Sequence, residues 1–165
     1  METIVVYKSN TGFTKQYAEW IAEDLKCKAV QLKDVNEQML KEYDRVVFGG
    51  YIMGNMIMGL NKIEQMNPSN LCVFSVGSTS GYKELEDIIK ETNHIGEKTF
   101  YYFEGGFRFN QLKLPVRMML KMLKKSAAKK ENKTRQEEEM AAKIGTNFDH
   151  SNREFIKKMI DDLAC

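Results

Sequence analysis

Short apolar runs alternate with helical stripes of apolar residues along most of the chain. Most runs are rich in β-branched or aromatic residues, which is typical of strands that are buried on both faces. The runs predict five strands, over 3–7, 28–32, 45–50, 71–76 and 99–103. Between them, apolar residues recur at the three- and four-residue spacing of an amphipathic helix. This spacing predicts helices over 14–26, 36–40, 59–66 and 82–91.

Strands that alternate with helices predict right-handed crossovers and a mostly parallel sheet. We therefore expect an α/β fold, a three-layer, doubly wound domain with five parallel strands and helices on both faces. The fourth helix should face the sheet with Leu85, Ile88 and Ile89. Ligands of such sheets bind outside the carboxyl ends of the strands, at a topological switch point.

The segment after the fifth strand departs from this alternation. Residues 104–150 lead to a last amphipathic helix over 151–163, and a connection of this length is expected to contain structure of its own. A helix is predicted over 114–126, with Pro115 in its first turn, and a short acidic helix over 136–143. We expect a single domain over 1–165 with a basic helical insertion at about 104–150. The last helix is expected to face inward with Phe155, Ile156, Met159, Ile160 and Leu163.

Composition is that of a globular protein, with 42% hydrophobic and 29% charged residues. No apolar run reaches the roughly 20 residues that a membrane-spanning helix needs. The start, Met1-Glu2-Thr3, has no basic segment of a secretory signal, so a cytoplasmic location is expected. The three cysteines (Cys27, Cys72, Cys165) and the two histidines (His94, His150) are far apart, so neither a disulfide framework nor a metal centre is predicted.

The charges are unevenly distributed. Between Arg108 and Arg135 ten basic residues face a single acid, Glu131, in a chain whose net charge is only +2. Residues 114–125 combine these cations with an apolar face made of Val116, Met118, Met119, Leu120, Met122 and Leu123. Either this face packs on the sheet and the lysines are solvated, or the helix lies on an anionic membrane surface. Stacking aromatics are missing from 113–135, so nucleic-acid binding is not expected.

The strongest chemical signal is the stretch Ser9–Lys15, between the first strand and the first helix. The first N–H groups of a helix lack backbone partners, and the helix dipole favours an anion there. Hydroxyl groups of Ser9, Thr11 and Thr14 can add hydrogen bonds, and Gly12 allows a close approach of the backbone. The stretch fits neither the Walker loop nor the GxGxxG motif. An ordinary capped helix after a turn is the alternative.

Three further glycine-bearing loops follow predicted strands, at 49–56, 77–81 and 105–107. Parallel strands present their carboxyl ends at one edge of the sheet, so these loops should lie beside the stretch at Ser9–Lys15. Ordinary turns would account for any one of them. Four such loops at one edge favour a ligand site.

The pattern Ser/Thr-x-Thr-Gly-x-Thr at residues 9–14 resembles the phosphate loop of the flavodoxin family, which binds FMN in a five-stranded sheet of order 2-1-3-4-5. The resemblance covers about 1–103 and the last helix. It implies that the FMN phosphate is held by Ser9, Asn10, Thr11, Gly12, Phe13 and Thr14. It implies one ring-facing loop made of Gly50, Tyr51, Ile52, Met53, Gly54 and Asn55, and a second made of Gly77, Ser78, Thr79, Ser80 and Gly81.

The same resemblance implies an electron-transfer flavoprotein or oxidoreductase. The redox chemistry belongs to the flavin, so no catalytic acid, base or nucleophile is expected from the chain. Tyr51, with Tyr82 or Phe107, is the candidate aromatic cover of the ring. The expected partners are redox proteins or a small-molecule or quinone electron acceptor.

A second resemblance concerns the insertion. Residues 43–49, 103–109 and 114–125 are similar to the menaquinone-dependent protoporphyrinogen oxidase branch of flavodoxin-like proteins. It implies an alternative function, a quinone-linked flavoenzyme held at the inner face of the membrane by its basic helix. Members that oxidise the porphyrinogen have a longer loop after the fourth strand than 76–82 provides, so the electron carrier is the primary prediction.

Overall fold

A computed structural model describes residues 1–164, which form eight strands and seven α-helices; Cys165, one of the cysteines considered above, lies outside the described residues. The elements follow the order β1 (Thr3–Lys8), α1 (Phe13–Asp24), β2 (Lys28–Gln31), α2 (Glu37–Leu40), β3 (Arg45–Met53), β4 (Met56–Ile57), α3 (Leu60–Glu64), β5 (Leu71–Gly77), α4 (Lys83–Thr92), β6 (Phe100–Glu104), β7 (Gly106–Arg108), α5 (Leu114–Ala128), α6 (Arg135–Lys143), β8 (Asn147–Asp149) and α7 (Lys157–Ala164). Single 3₁₀ turns lie at Leu32–Asp34, Phe109–Gln111 and Arg153–Ile156.

Five parallel strands form the central sheet in the order β2-β1-β3-β5-β6. Val5 of β1 pairs with Ala29 on one side and with Val47 on the other, which places β1 and β3 in the middle of the sheet. The short β4 pairs only with the end of β3, in the antiparallel sense. When only the five parallel strands are numbered along the chain, this order is the predicted 2-1-3-4-5. The doubly wound α/β architecture is therefore confirmed.

Side chains of successive strand residues enter two separate cores, one on each face of the sheet. Val46 and Phe48 of β3 lie in the core that α3 and α4 cover, whereas Val47 lies in the core beneath α1 and α7. This alternation follows from the two-residue period of a strand. Since both faces are covered, the central strands are apolar throughout, and that is why they were recognisable in the sequence.

Two predicted inward positions are wrong. Ile88 is 41% exposed, because α4 buries only the stripe through Leu85 and Ile89. Phe155 is 42% exposed, whereas Ile156 and Met159 are buried as predicted. Phe155 is exposed because Arg153–Ile156 forms a 3₁₀ turn, which has about three residues per turn. Its side chains therefore point in other directions than those of a continuous α-helix would.

The insertion, residues 104–150, contains the two predicted helices, α5 and α6, and in addition a two-stranded ribbon that was not predicted. Its two ends pair as an antiparallel ribbon of β7 and β8, and between them α5 packs against α6. A capping box at Thr134 and Glu137 begins α6. None of the fifteen residues of α5 is buried. Within residues 1–164, no helix is long and apolar enough to cross a membrane.

Candidate functional site

Loops at the carboxyl ends of the parallel strands meet around one cavity of about 980 Å³, which we call the strand-end cavity. Its volume is at the upper end of the roughly 300–1,000 Å³ of typical ligand pockets. The cavity brings together thirteen predicted site residues, namely Ser9, Asn10, Thr11, Phe13, Thr14, Tyr51, Ile52, Met53, Gly54, Asn55, Gly77, Ser78 and Thr79. The other four predicted residues, Gly12, Gly50, Ser80 and Gly81, support these loops without lining the cavity.

The first loop ends where α1 begins. Gly12 caps the helix with a φ of 101°, a left-handed conformation that side chains disfavour. Its N–H donates to Ser9 Oγ at 3.1 Å, which tightens the loop. The next N–H groups, those of Phe13 and Thr14, have no carbonyl partner within the helix, and both residues line the cavity. This end of the cavity is therefore suited to an anion such as a phosphate group.

Arg108 of β7 reaches this loop from the insertion, and sequence reasoning missed it. Its Nη1 donates to the carbonyl oxygen of Thr11. The guanidinium lies over the Phe13 ring at 4.0 Å and pairs with Asp149 at 3.7 Å. A Cβ at position 12 would lie 2.8 Å from Arg108 Nη1, so a side chain there would displace the end of Arg108. In the sequence Arg108 is one of ten cations in a basic segment, so no local signal sets it apart.

The second loop is shorter than predicted, because β3 continues to Met53. Ile52 pairs with Ile57, and Met53 pairs with Met56 across a two-residue turn. The turn residues Gly54 and Asn55 have φ values of 56° and 66°, the conformation of a type I′ hairpin. Residues 50–53 are therefore strand, and only Gly54 and Asn55 form the turn. At Gly50 a Cβ would lie 2.6 Å from the Met58 carbonyl oxygen, so this glycine serves the packing of the hairpin.

Asn93 holds the hairpin in place, and sequence reasoning missed this residue too. It lies at the end of α4, 8% exposed, and its Oδ1 accepts the N–H of Ile57 at 2.8 Å. Its Nδ2 donates to the carbonyl oxygen of Asn55 at 2.8 Å. One amide side chain thus satisfies a carbonyl oxygen of the turn and an N–H of β4. In the sequence Asn93 lies two residues beyond the predicted fourth helix.

The third loop rests on Tyr102 of β6. The Tyr102 hydroxyl donates to the Thr79 carbonyl oxygen at 2.7 Å, and burial raises the pKa of this phenol far above its usual range. A Cβ at Gly77 would lie 2.3 Å from the same hydroxyl, and one at Gly81 would lie 3.1 Å from the ring. These two glycines therefore make room for Tyr102, while Ser78 and Thr79 line the cavity.

The insertion forms the opposite wall of the strand-end cavity. Its apolar lining comes from α5, α6 and their flanks and consists of Leu112, Val116, Met119, Leu120, Leu123, Met140, Ala141 and Ile144. Of the three candidate aromatic residues, Tyr51 and Phe107 line the cavity and Tyr82 does not. The guanidinium of Arg135 lies over the Tyr82 ring, 4.2 Å from its centre.

Each of the three strand-end loops is bonded to at least one polar side chain of the insertion, and in the third loop Ser80 Oγ also donates to Glu139 at 3.5 Å. Arg108 donates to Thr11 in the first loop. Gln136 donates to the side-chain oxygen of Asn55 in the second. Lys143 donates to the carbonyl oxygen of Ser78 in the third and lies 3.9 Å from Glu104. The insertion is therefore tied to the site at three separate points.

Residues 1–164 contain no group of histidine, cysteine or acidic side chains that could hold a metal ion. Cys27 and Cys72 are both free thiols. The site consists of backbone donors, hydroxyl groups, apolar walls and a few engaged cations. Such a lining suits an organic ligand with an anionic end.

Similarity to known proteins is found among solved structures and in a family model. No curated protein sequence matches the chain. Among solved structures, a flavodoxin from the domain Archaea is 22% identical, with a TM-score of 0.45 over 63% of this chain and 83% of that chain. Oxidised Flavodoxin 2 from Bacillus cereus is 17% identical, with a TM-score of 0.41 over 62% of this chain and 84% of that chain. A flavodoxin, WrbA-like protein from Agrobacterium tumefaciens is 14% identical, with a TM-score of 0.43 over 61% of this chain and 82% of that chain.

A family model goes further than these distant structures. The model described as "Flavodoxin domain" matches residues 4–134, which include the strand-end loops and α5. This match covers most of the chain. The protein belongs to the flavodoxin domain family.

Proposed function

We propose that the protein binds FMN in the strand-end cavity and acts as an electron-transfer flavoprotein. The observation that carries the proposal is the convergence of three loops on one cavity whose first loop ends in a helix N-terminus. An anionic group and a flat ring system can be accommodated together only where such a polar end adjoins apolar walls. The strand-end cavity has both features.

The residues present fit the parts of FMN. The phosphate would be held by the N–H groups of Phe13 and Thr14, with hydroxyl groups of Ser9 and Thr11 beside them. Arg108 adds positive charge at this end. The ring would lie between the hairpin turn and Gly77–Thr79, against the ring of Tyr51 or Phe107. FMN, when bound, supplies the redox chemistry, and the chain binds, orients and shields it.

Flavin titration tests the proposal. The purified protein should take up an equimolar amount of FMN, seen as quenched flavin fluorescence. Thr11→Glu should abolish uptake, because a carboxylate would then face the phosphate. Gln38→Glu, which adds the same charge at an exposed position of α2, is the control and should bind FMN normally. A folded wild-type protein that leaves added FMN free would refute the proposal.

The outer face of α5 supports a second candidate, contact with an anionic membrane. Leu114, Met118 and Met122 are 66%, 58% and 70% exposed. Lys121 and Lys125 extend from the same helix. Amphipathic basic helices with such exposed apolar groups bind anionic bilayers in the interface. We propose that the protein is cytoplasmic and binds the inner face of the membrane through α5. Its electron acceptor would then be a quinone or a redox protein.

Liposome flotation tests the second candidate. Vesicles containing anionic lipid should carry the wild-type protein upward, whereas zwitterionic vesicles should not. The double variant Met118→Asn, Met122→Asn should stay at the bottom, because it removes the apolar contribution and leaves every charge. An anaerobic assay with protoporphyrinogen IX tests the oxidase alternative separately. Flotation that is the same for the variant and the wild type would rule out α5 as the contact.

A further inference from the structure

We propose that the hairpin of β3 and β4 carries a site for a soft monovalent metal ion, Cu(I), held by the thioether sulfurs of Met53, Met56 and Met58. Thioethers are soft ligands, which select Cu(I) over the hard cations that carboxylate and carbonyl oxygens bind. The site contains neither histidine nor cysteine, the ligand types on which the sequence-based expectation of no metal centre rested. It needs no flavin, so it is independent of the proposed function.

The first argument is the register of the hairpin. Met53 pairs with Met56 directly across the two-residue turn. Directly opposed residues of an antiparallel pair have Cβ atoms only about 4.5–5.5 Å apart. The N–H of Met58 donates to the Tyr51 carbonyl oxygen at 2.9 Å, so the pairing continues past Ile57. Because side chains alternate between the two faces of a strand, Met58 shares the face of Met56, and all three thioethers lie on one side of the hairpin.

The second argument is exposure. Met53 is 39% exposed and Met56 is 48% exposed. On the opposite face, Ile57 is buried in the core beneath α4, and Ile52 packs against the same core. Because the isoleucines anchor the hairpin, the methionines are not needed for the core, and a solvated strand face normally carries polar residues. Three of the 11 methionines of the chain nevertheless lie in this hairpin. Binding of a soft metal ion accounts for sulfur ligands at these positions.

The third argument is the rigidity of the hairpin. Asn93 accepts the N–H of Ile57 and donates to the carbonyl oxygen of Asn55, both at 2.8 Å. Gln136 donates to the side chain of Asn55. The backbone that carries the three sulfur ligands is therefore fixed before a metal binds, which lowers the entropic cost of binding. Space beside the turn is open, because a Cβ at Gly54 would meet no atom within 4 Å.

Other sulfur atoms among the described residues are less suited to bind the metal. Met118, Met119 and Met122 line the outer groove of α5, but this helix has no buried residue that would hold its backbone in place. Cys72 is buried, and burial raises the pKa of its thiol to about 12. The thiolate, not the thiol, is the metal ligand, so Cys72 is a poor competitor at neutral pH. The hairpin combines a shared face, exposed sulfur ligands and a fixed backbone.

Titration with Ag(I), a redox-inert substitute for Cu(I), tests the site in protein that is isotope-labelled at its methionine methyl groups. The substitutions Cys27→Ser and Cys165→Ser provide the background, because free thiols would compete for the metal. One equivalent of Ag(I) should shift the methyl signals of Met53, Met56 and Met58, while the methyl signals of α5 stay in place. Mg²⁺, a hard cation, should shift none of them.

Leucine variants identify the ligands, because leucine keeps the apolar volume of methionine but lacks the sulfur. The double variant Met53→Leu, Met56→Leu should weaken Cu(I) binding at least about tenfold, since even the loss of groups that only support a metal ligand costs about 10–100-fold. Competition with a chromogenic Cu(I) chelator measures the affinity. The matched control is Met118→Leu, Met122→Leu, which removes two exposed thioethers from α5 and should bind Cu(I) as the background protein does.

The single variant Met56→Leu covers the case in which the double substitution disturbs the hairpin. Met56 is exposed, so this change alters little packing and should still weaken Cu(I) binding. Hairpin methyl signals that do not respond to Ag(I) would overturn the site. Undiminished Cu(I) affinity in the hairpin variants, or a loss of affinity in the α5 control instead, would overturn it as well. These titrations contain no flavin, so their outcome does not depend on whether the protein binds FMN.

Discussion

The central sheet and the insertion are built on opposite principles. Phe48 in the sheet is 0% exposed, whereas Met122 in the insertion is 70% exposed, although both are large apolar residues in regular elements. The sheet is stabilised by its own two cores. The insertion buries few apolar residues, chiefly Phe109 and Ile144, and is otherwise held by a ribbon, a capping box and a few polar side chains. The strand-end cavity lies where these two regions meet, so it has one wall of each kind.

This difference indicates how the site is organised. The sheet supplies loops whose shape is determined by buried contacts, such as Tyr102 beneath Gly77. The insertion reaches those loops through Arg108, Gln136 and Lys143. Regions with few buried apolar contacts open locally at a lower free energy than the core does. We therefore expect the insertion to open while the sheet stays folded, which would let ligands enter.

The largest expected effect compares the two regions directly. Phe48→Ala removes a fully buried ring from the sheet and should lower the free energy of unfolding by about 3–5 kcal/mol. Met122→Ala removes an exposed side chain of α5 and should change it by no more than about 0.5 kcal/mol. Urea denaturation followed by circular dichroism measures both. A large loss from Met122→Ala would mean that α5 is packed against something in solution and would contradict the comparison.

The next effect concerns Arg108, through which the insertion contacts the first strand-end loop at Thr11. Arg108→Gln removes a cation that donates to Thr11 and lies over Phe13, and it should weaken FMN binding by roughly 1.5–3 kcal/mol. Riboflavin, which lacks the phosphate, should lose much less affinity. Fluorescence titration with both flavins measures the difference. Arg135→Gln, which removes a cation of the same insertion outside the cavity, is the control. Equal losses for the two flavins would exclude a role of Arg108 at the phosphate.

The sequence predicted the sheet much better than the insertion, for a physical reason. A strand buried on both faces is apolar at every position, so β1, β3 and β5 were visible as continuous runs. The loop at Ser9–Lys15 was visible as well, because small and hydroxyl residues directly follow the first strand. The apolar stripe of α5 was also visible, but periodicity does not reveal what covers a stripe. The sequence therefore left two alternatives for α5, packing on the sheet and contact with a membrane surface.

The missed residues have roles that depend on distant partners. Asn93 contacts Asn55 and Ile57, and Arg108 contacts Thr11, which lies 97 positions earlier in the chain. No local pattern encodes such contacts. The extension of β3 to Met53 was missed because Gly49 and Gly50 look like the end of a strand. In the structure these positions have no room for a side chain, because the Phe74 ring lies against Gly49 and the Met58 carbonyl oxygen lies against Gly50.

A smaller effect should follow from Asn93→Ala, at the sheet side of the cavity. The substitution leaves the buried N–H of Ile57 and the carbonyl oxygen of Asn55 without their partner, which should cost about 1–3 kcal/mol. Hydrogen exchange should accelerate in β4 and in the turn at Gly54. FMN affinity should also fall, because this turn lines the strand-end cavity. The control is Asn61→Ala, on the exposed surface of α3. Unchanged exchange in β4 would show that the hairpin does not depend on Asn93.

The smallest effect separates the two regions most clearly. Thr134→Ala removes the N-cap of α6, which typically costs about 1 kcal/mol. If the insertion opens on its own, amide exchange in α6 should accelerate several-fold while the urea midpoint of the whole protein stays unchanged. The matched change is Asn36→Ala at the N-cap of α2, where Leu40 is buried in the sheet core. That variant should lower the urea midpoint, because α2 unfolds only with the sheet. If Thr134→Ala also lowered the midpoint, the insertion and the sheet would form one cooperative unit, and ligand entry would require a route other than local opening of α6.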